Sequence, residues 1–240
     1  MPQVEWKEEN RRYSLCFFPL IGAVIGALLL LWYRFCSIFG IGDLFFASMS
    51  TAIPVLVTGG IHLDGFCDVC DAKACCGTKE KKLAVMSDSH IGAFAAINLM
   101  LYFLIEAGLF SQIKSSDIIL VCSLGFIQSR AWSGLGAVTF KSAKSEGALQ
   151  NFSKPADKNI TIAAEIFFLA LTSAVMIYAN PLIGICAVLG GATAFTYYRT
   201  FAYKNFGGIT GDLAGYFLQI CEILIIAFAL IASVIEGCIL

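Results

Sequence analysis

The sequence predicts an all-α, polytopic membrane bundle that crosses a lipid bilayer about seven times, with its N-terminus in the cytoplasm. Three observations carry this expectation. Of 240 residues, 58% are hydrophobic and only 14% are charged, where soluble domains carry about a quarter charged. A water-soluble chain of this length exposes too much surface to hide that much apolar side chain, so lipid must be its solvent. Apolar stretches of the length a helix needs to cross about 30 Å of hydrocarbon recur along the chain. Lysine and arginine gather in alternate connections between those stretches.

The opening segment, MPQVEWKEENRRYSL, is polar and mixed in charge, and no small-residue cleavage pattern follows it, so it does not read as a secretory leader. Spans are expected at roughly 16–35, 44–60, 91–110, 117–137, 160–179, 182–200 and 213–235. Asn180-Pro181 is a turn signal that makes 160–200 a tight helical hairpin. Pro54, Gly59 and Gly60 are tolerated in or beside a span where neighbouring helices cover the backbone. The whole chain, 1–240, is expected to form one membrane-embedded domain.

Charge sets the orientation. Lys7, Arg11 and Arg12 precede the first span, and Lys73, Lys79, Lys81 and Lys82 lie in 61–90. Lys141, Lys144, Lys154 and Lys158 lie in 138–159, and Arg199 and Lys204 mark the connection near 201–212. The odd connections are poor, with Arg34 bordering the first, Lys114 in the third and neither residue type in the fifth. The positive-inside rule then places the even connections in the cytoplasm and the C-terminus outside. A net charge of -1 argues against a nucleic-acid binder. Most of the ten cysteines stand singly in apolar runs and read as packing residues.

The long polar connections, and with them the candidate chemistry, fall on the cytoplasmic side. Asp64, Asp68 and Asp71 stand at i, i+4 and i+7, one face of a helix. Clustered carboxylates repel, and near lipid they call for a compensating cation. Oxygen ligands favour a hard ion such as Mg²⁺, which takes one or two carboxylates together with phosphate oxygens. A solvated acidic helix start is the plain alternative. Cys67-x-x-Cys70, with Cys75, Cys76, His62 and His90 nearby, admits a thiolate metal site, although adjacent cysteines suit that geometry badly. Asp88, at the mouth of the third span, is either a helix N-cap or a member of the site. Arg130 lies inside the fourth span, where an arginine needs a partner or a phosphate, or snorkels to the interface. Lys144, Glu146, Asn151 and Lys154 offer phosphate or sugar contacts from a polar connection. Gly207–Gly215 is a glycine-rich turn opening the last span, whose backbone N–H groups can receive phosphate while Asp212 takes a metal. Glu222 lies well within the last span. Glu106 and Glu165 lie near span edges and are expected to reach water.

Taken in order, these elements resemble the cobalamin synthase family, the membrane-bound adenosylcobinamide-GDP ribazoletransferases. The resemblance runs through F-P-L-I-G-x-x-x-G (Phe18 to Gly26), T-G-G-x-H-L-D-G-x-x-D-x-x-D (Thr58 to Asp71) and M-x-D-S-x-x-G (Met86 to Gly92). It continues through Ser129-Arg130, Glu146-Gly147 with Asn151-Phe152, and G-G-x-T-G-D-x-x-G (Gly207 to Gly215). The chain departs from the family's pattern at Ala72, His90, Ala214 to Tyr216, and Gln219, leaving Asp64, Asp68, Asp71, Asp88 and Asp212 intact.

The resemblance implies a Mg²⁺-dependent transfer. A hydroxyl of α-ribazole attacks the cobinamide-linked phosphorus of adenosylcobinamide-GDP, GMP leaves, and adenosylcobalamin is formed. On that basis Asp64, Asp68 and Asp71 are expected to hold the metal, with Asp88 and Asp212 completing its shell or activating the hydroxyl. Arg130, Lys144 and Lys154 are expected to hold phosphates and Asn151 a ribose or amide. His62, His90, Thr210 and Gly211 are expected to contact substrate. The partners implied are those two substrates and the bilayer, with homo-oligomers permitted by faces such as Gly22-x-x-x-Gly26. Two other readings stand beside this one: a CDP-alcohol-type phosphotransferase, whose fuller D-G-x-x-A-R signature is missing here, and a corrinoid or metal-ion transporter.

Overall fold

The computed structural model describes residues 11–88 and 90–239. After a 3-10 turn at Ser14–Phe17, the helices are α1 (Phe18–Phe39), α2 (Asp43–Thr58), α3 (Ile61–Ala74), α4 (Lys79–Val85) and α5 (Ala93–Ser111). Then follow α6 (Ser116–Thr139), α7 (Ala148–Ser153), α8 (Lys158–Ala179), α9 (Pro181–Phe206) and α10 (Gly211–Ile239). No strand forms among the described residues, only one parallel bridge between Ser142 and Ile209.

Every expected span has its helix. Six are long and apolar enough to cross a membrane, namely α5, α6, α8, α9, α10 and α1 with its 3-10 turn. The seventh stretch is α2, which ends at Gly59 and Gly60 with φ of 65° and 78°. L-residues with a Cβ avoid that left-handed region, so the glycine pair permits the sharp corner. Beyond it α3 departs at 98° to α2. The residues of α3 touch the beginnings of α1, α5 and α10, so we read α3 as lying across the end of the bundle, and α2 as the crossing.

Contacts between the connections fix which ends lie together. On one face Arg12 pairs with Asp157 at 2.9 Å, and Lys144 donates to Ser87 at 2.8 Å. On the same face Lys82 donates to Asn205 at 3.1 Å, and Ile209 N–H donates to the Lys141 carbonyl at 2.8 Å. These bonds join the N-terminal segment to the second, fourth and sixth connections. On the opposite face Lys114 pairs with Asp43 at 2.6 Å, and Asn180 donates to Glu236 at 3.0 Å. The alternation read from lysines and arginines is therefore built into the fold, with α2 supplying its crossing.

The bundle has an apolar exterior and a partly polar centre. Leu31, Leu56, Leu104, Phe167 and Val234 are exposed, whereas Gln128, Ser129, Arg130, Ser133 and Glu222 are buried. That distribution suits a lipid solvent, where polar side chains find partners only inside. The middle helix, α6, meets α1 at Gly22, where a Cβ would strike the Phe126 carbonyl. Gly22 and Gly26 thus serve packing within the chain. Asn180 caps α9, accepting the Ile183 N–H at 3.0 Å, with Pro181 beginning the helix as the hairpin reading expects.

Two expectations fail here. Glu106 and Glu165 do not reach water; both are buried. The carboxylate of Glu165 occupies the space left open by Gly134, and Glu106 lies on the inward side of α5 with Tyr102 and Phe110. Helix rotation decides this, and distance from the end of a span does not report it.

Candidate active site

One side of α3 is apolar and buried, through Leu63, Phe66, Val69 and Ala72. Asp64 is exposed, while Asp68 and Asp71 are half-buried. Asp212 joins them through a close crossing of α3 and α10. A Cβ on Gly65 would lie 2.8 Å from both the Cα and the carbonyl oxygen of Asp212, and one on Gly215 would lie 2.9 Å from the His62 carbonyl. One glycine from each helix lets the backbones touch, so the first turn of α10 delivers Asp212 beside α3. Thr210 caps that turn, its hydroxyl accepting the Leu213 N–H at 3.2 Å. Gly211 faces the start of α7, with Leu149 N 3.7 Å from where its Cβ would be.

The electrostatics of the group are those of a site short of positive charge. Burial, then repulsion from Asp64, Asp212 and Asp71, pushes the Asp68 carboxyl up to about 6, with Lys144 acting in the opposite direction. Lys144 and Asp64 both lie near enough to Asp212 to act on its charge. Lys144 is held by its bond to Ser87, and its chain segment is held by the Ser142–Ile209 bridge. Gln150 adds to this, donating to Ser142 and to the Lys144 carbonyl.

Asp71 has a different duty from the one expected. Its two oxygens accept the N–H groups of Gly92 at 2.6 Å and Ala95 at 2.9 Å, so it caps α5 from a distant part of the chain. A carboxylate there also complements the positive end of the helix. Asp71→Ala is expected to lower stability by about 1 kcal/mol, read as an earlier thermal unfolding midpoint in detergent; an unchanged midpoint would show that the cap contributes nothing.

The cap role considered for Asp88 is thereby filled, and Asp88 binds His90 instead. Its Oδ1 accepts from His90 Nδ1 at 2.6 Å and from the His90 main-chain N–H at 3.1 Å. This contact raises His90 above the ordinary imidazole range and holds Asp88 below the ordinary carboxylate range. Asp88 and His90 share an open cleft of about 510 Å³ with Asp68, Asp71, Val85, Ile91 and Phe94.

Four other expected residues are placed less directly. Arg130 is enclosed in the bundle, bonded to Glu222, to Ser129 Oγ at 2.8 Å and to the Phe126 carbonyl at 3.3 Å. It is fully buried and out of reach of a phosphate. His62 lies edge-on to Phe18 with ring centroids 6.1 Å apart, and burial, aided by nearby Arg130, pushes it down to about 3. It is therefore neutral, not a cationic phosphate ligand. Asn151 is exposed on α7, and Lys154 donates to the Ser145 carbonyl at 2.7 Å. Both belong to the connection that carries Lys144, but neither touches the carboxylates.

The donor chemistry fits a hard divalent cation. Asp64, Asp68 and Asp212 offer oxygen only, and their mutual repulsion is what a cation relieves. Among the described residues no three His, Cys, Asp or Glu side chains stand at coordination spacing. The expected Asp64, Asp68 and Asp71 triad is thus not a closed cage, and Mg²⁺ is the ion that tolerates a few carboxylates with other positions left to phosphate and water. Cys67 and Cys70 are buried, and burial first, then the nearby Asp68 for Cys67 and the Cys67 thiol for Cys70, pushes them up to about 11 and about 12, so both remain thiols.

Comparison with known proteins now bears on this arrangement. The family model described as Cobalamin-5-phosphate synthase matches residues 1–230. The chain belongs to that family. A relative named adenosylcobinamide-GDP ribazoletransferase, from Lachnoclostridium phytofermentans, is 42% identical over 226 residues, covering 93% of this chain and 85% of its own. Proteins of the same name are 32% identical over 92% of this chain and 88% of theirs in Clostridium perfringens (strain 13), and 30% identical over 93% and 88% in Clostridium botulinum (strain Alaska E43). No solved structure matches the chain.

Sequence reading missed the walls of the cleft. Ile91 and Phe94 read as the beginning of a span, and Val85 as part of a charged connection. Only the packing of α3 against both α4 and α5 shows that all three line one space with Asp68 and Asp88.

Proposed function

We propose that this protein is a Mg²⁺-dependent adenosylcobinamide-GDP ribazoletransferase of the cell membrane, with its site facing the cytoplasm. It transfers the adenosylcobinamide-phosphate group to α-ribazole and releases GMP, assembling the nucleotide loop of adenosylcobalamin. The single observation that carries this reading is the close crossing of α3 and α10, which brings the helix of Asp64 and Asp68 against the backbone of Asp212 at the end of the bundle where the basic connections gather. That face is cytoplasmic by the positive-inside rule. The family and the name shared by its relatives support the choice of substrates.

The chain's own groups have defined tasks in such a transfer. Asp64, Asp68 and Asp212 would hold the cation, whose charge would offset that of the phosphates. Lys144, tethered to Ser87, lies beside the same carboxylates and contacts phosphate oxygens. Positioning and charge neutralisation are the main protein contributions to phosphoryl-type transfer.

Detergent-purified protein given both substrates and Mg²⁺ is expected to release GMP without any gradient. Asp68→Asn is expected to slow that release about 100-fold. Mg²⁺ affinity should weaken as pH falls through about 6, because Asp68 then takes up a proton and can no longer ligate. An unaltered rate in Asp68→Asn removes the carboxylate from the mechanism. Gradient-driven uptake into sealed vesicles with no GMP release supports the transporter instead.

A further inference from the structure

We propose that the cleft between α3, α4 and the start of α5 seats the attacking nucleoside, with Phe94 against its aromatic base and His90 taking the proton of its hydroxyl. The proposal rests on the transferase reading above. At about 510 Å³ the cleft has the size of small-molecule sites, which span about 300–1,000 Å³. Its walls have two characters. Asp68, Asp71 and Asp88 supply carboxylates, and Val85, Ile91 and Phe94 supply apolar surface. With Asp68 given to the cation, the apolar residues of the cleft suit a nucleoside, whose base gains from an exposed aromatic face. Phe94 is 56% exposed in the first turn of α5, so its ring is open to a ligand.

His90 is the group in this cleft suited to accept a proton. Asp88 lies against Nδ1 and also binds the His90 main chain, which orients the ring, and in the neutral imidazole with its hydrogen on Nδ1 this leaves Nε2 to accept a proton. The His90 side chain is 89% exposed and Asp88 58%, so the pair is open to a ligand and Nε2 has no packing role. The charged groups that line the cleft with it are Asp68, Asp71 and Asp88, and Lys144 is held nearby by its bond to Ser87. The carboxylates favour the imidazolium that forms. In the step itself the ribose hydroxyl oxygen bonds to the cobinamide-linked phosphorus. The bond from that phosphorus to the GMP oxygen breaks, its electron pair leaves with GMP, and the hydroxyl proton passes to Nε2.

Steady-state kinetics with α-ribazole and adenosylcobinamide-GDP test the assignment. Phe94→Leu is expected to raise KM for α-ribazole about tenfold, leaving KM for the other substrate unchanged, and Phe94→Tyr to behave as wild type. His90→Gly is expected to lower kcat about 100-fold, with part of the loss restored by added imidazole. A purely structural loss is not rescued in that way. Wild-type protein that releases no GMP overturns the transferase reading itself. An active wild type whose Phe94→Leu and His90→Gly variants keep wild-type constants, or a slowed His90→Gly that imidazole leaves untouched, overturns this proposal alone.

Discussion

Gly65→Ala is expected to lower turnover about 100-fold in a protein that still folds and extracts normally, because a misplacement near 1 Å costs about that much in a positioned reaction. The new methyl would stand 2.8 Å from the Cα and the carbonyl oxygen of Asp212. Both obstacles are backbone, so no side chain can swing aside. Helix α3 must therefore move away from α10, and the distance from Asp64 and Asp68 to Asp212 changes with it. The measurement is GMP release alongside a thermal unfolding curve. Gly108→Ala is the control, since nothing lies within 4 Å of a Cβ there, and alanine is the better helix former by about 1 kcal/mol. If Gly65→Ala matches the Gly108→Ala rate, the crossing does not position the site.

Glu222→Leu is expected to destabilise the protein by about 3–5 kcal/mol, because it leaves Arg130 charged and enclosed with no counter-ion. Arg130 and Glu222 are bonded inside the bundle, and both side chains are 1% exposed. The double variant Arg130→Met with Glu222→Leu is expected to recover most of that stability, since apolar residues of similar size commonly replace a buried pair without loss. Unfolding in detergent reads the first effect, and GMP release by the double variant reads the second. An Arg130 that holds phosphate makes the double variant inactive. An Arg130 that only joins α6 to α10 leaves its turnover close to wild type, which is the result expected here.

Arg130 shows why part of the site was not legible in the chain. An arginine inside a span asks for a partner, and the sequence offers several, including phosphate and Glu222. Which one it meets depends on the rotation of α6 against α10, which adjacent residues do not encode. Asp71 makes the same point from the other direction. Its spacing with Asp64 and Asp68 is that of a shared helix face, and the face is real. Yet the corner at Gly59 and Gly60 swings the far end of α3 to the start of α5, where its carboxylate meets free N–H groups. Asp88, left without a cap to make, is then available to His90. Glu106 and Glu165 were misjudged for a related reason, since depth along a helix says little about which way it is turned.

What the sequence determined alone was the lipid solvent, the all-helical class with its recurring apolar stretches, and which connections gather at one end. These follow from composition, from runs long enough to cross hydrocarbon, and from lysines and arginines that alternate with them. The motifs with Asp64, Asp68 and Asp212 carried the family as well. Tertiary structure alone decided which carboxylates meet, which one caps a helix, and which apolar residues wall the cleft. The reason is physical: hydropathy and charge are summed over stretches of chain. The crossing at which a Cβ on Gly65 would lie 2.8 Å from Asp212 depends instead on the angle and rotation of two helices, and those are fixed only when every neighbour is in place.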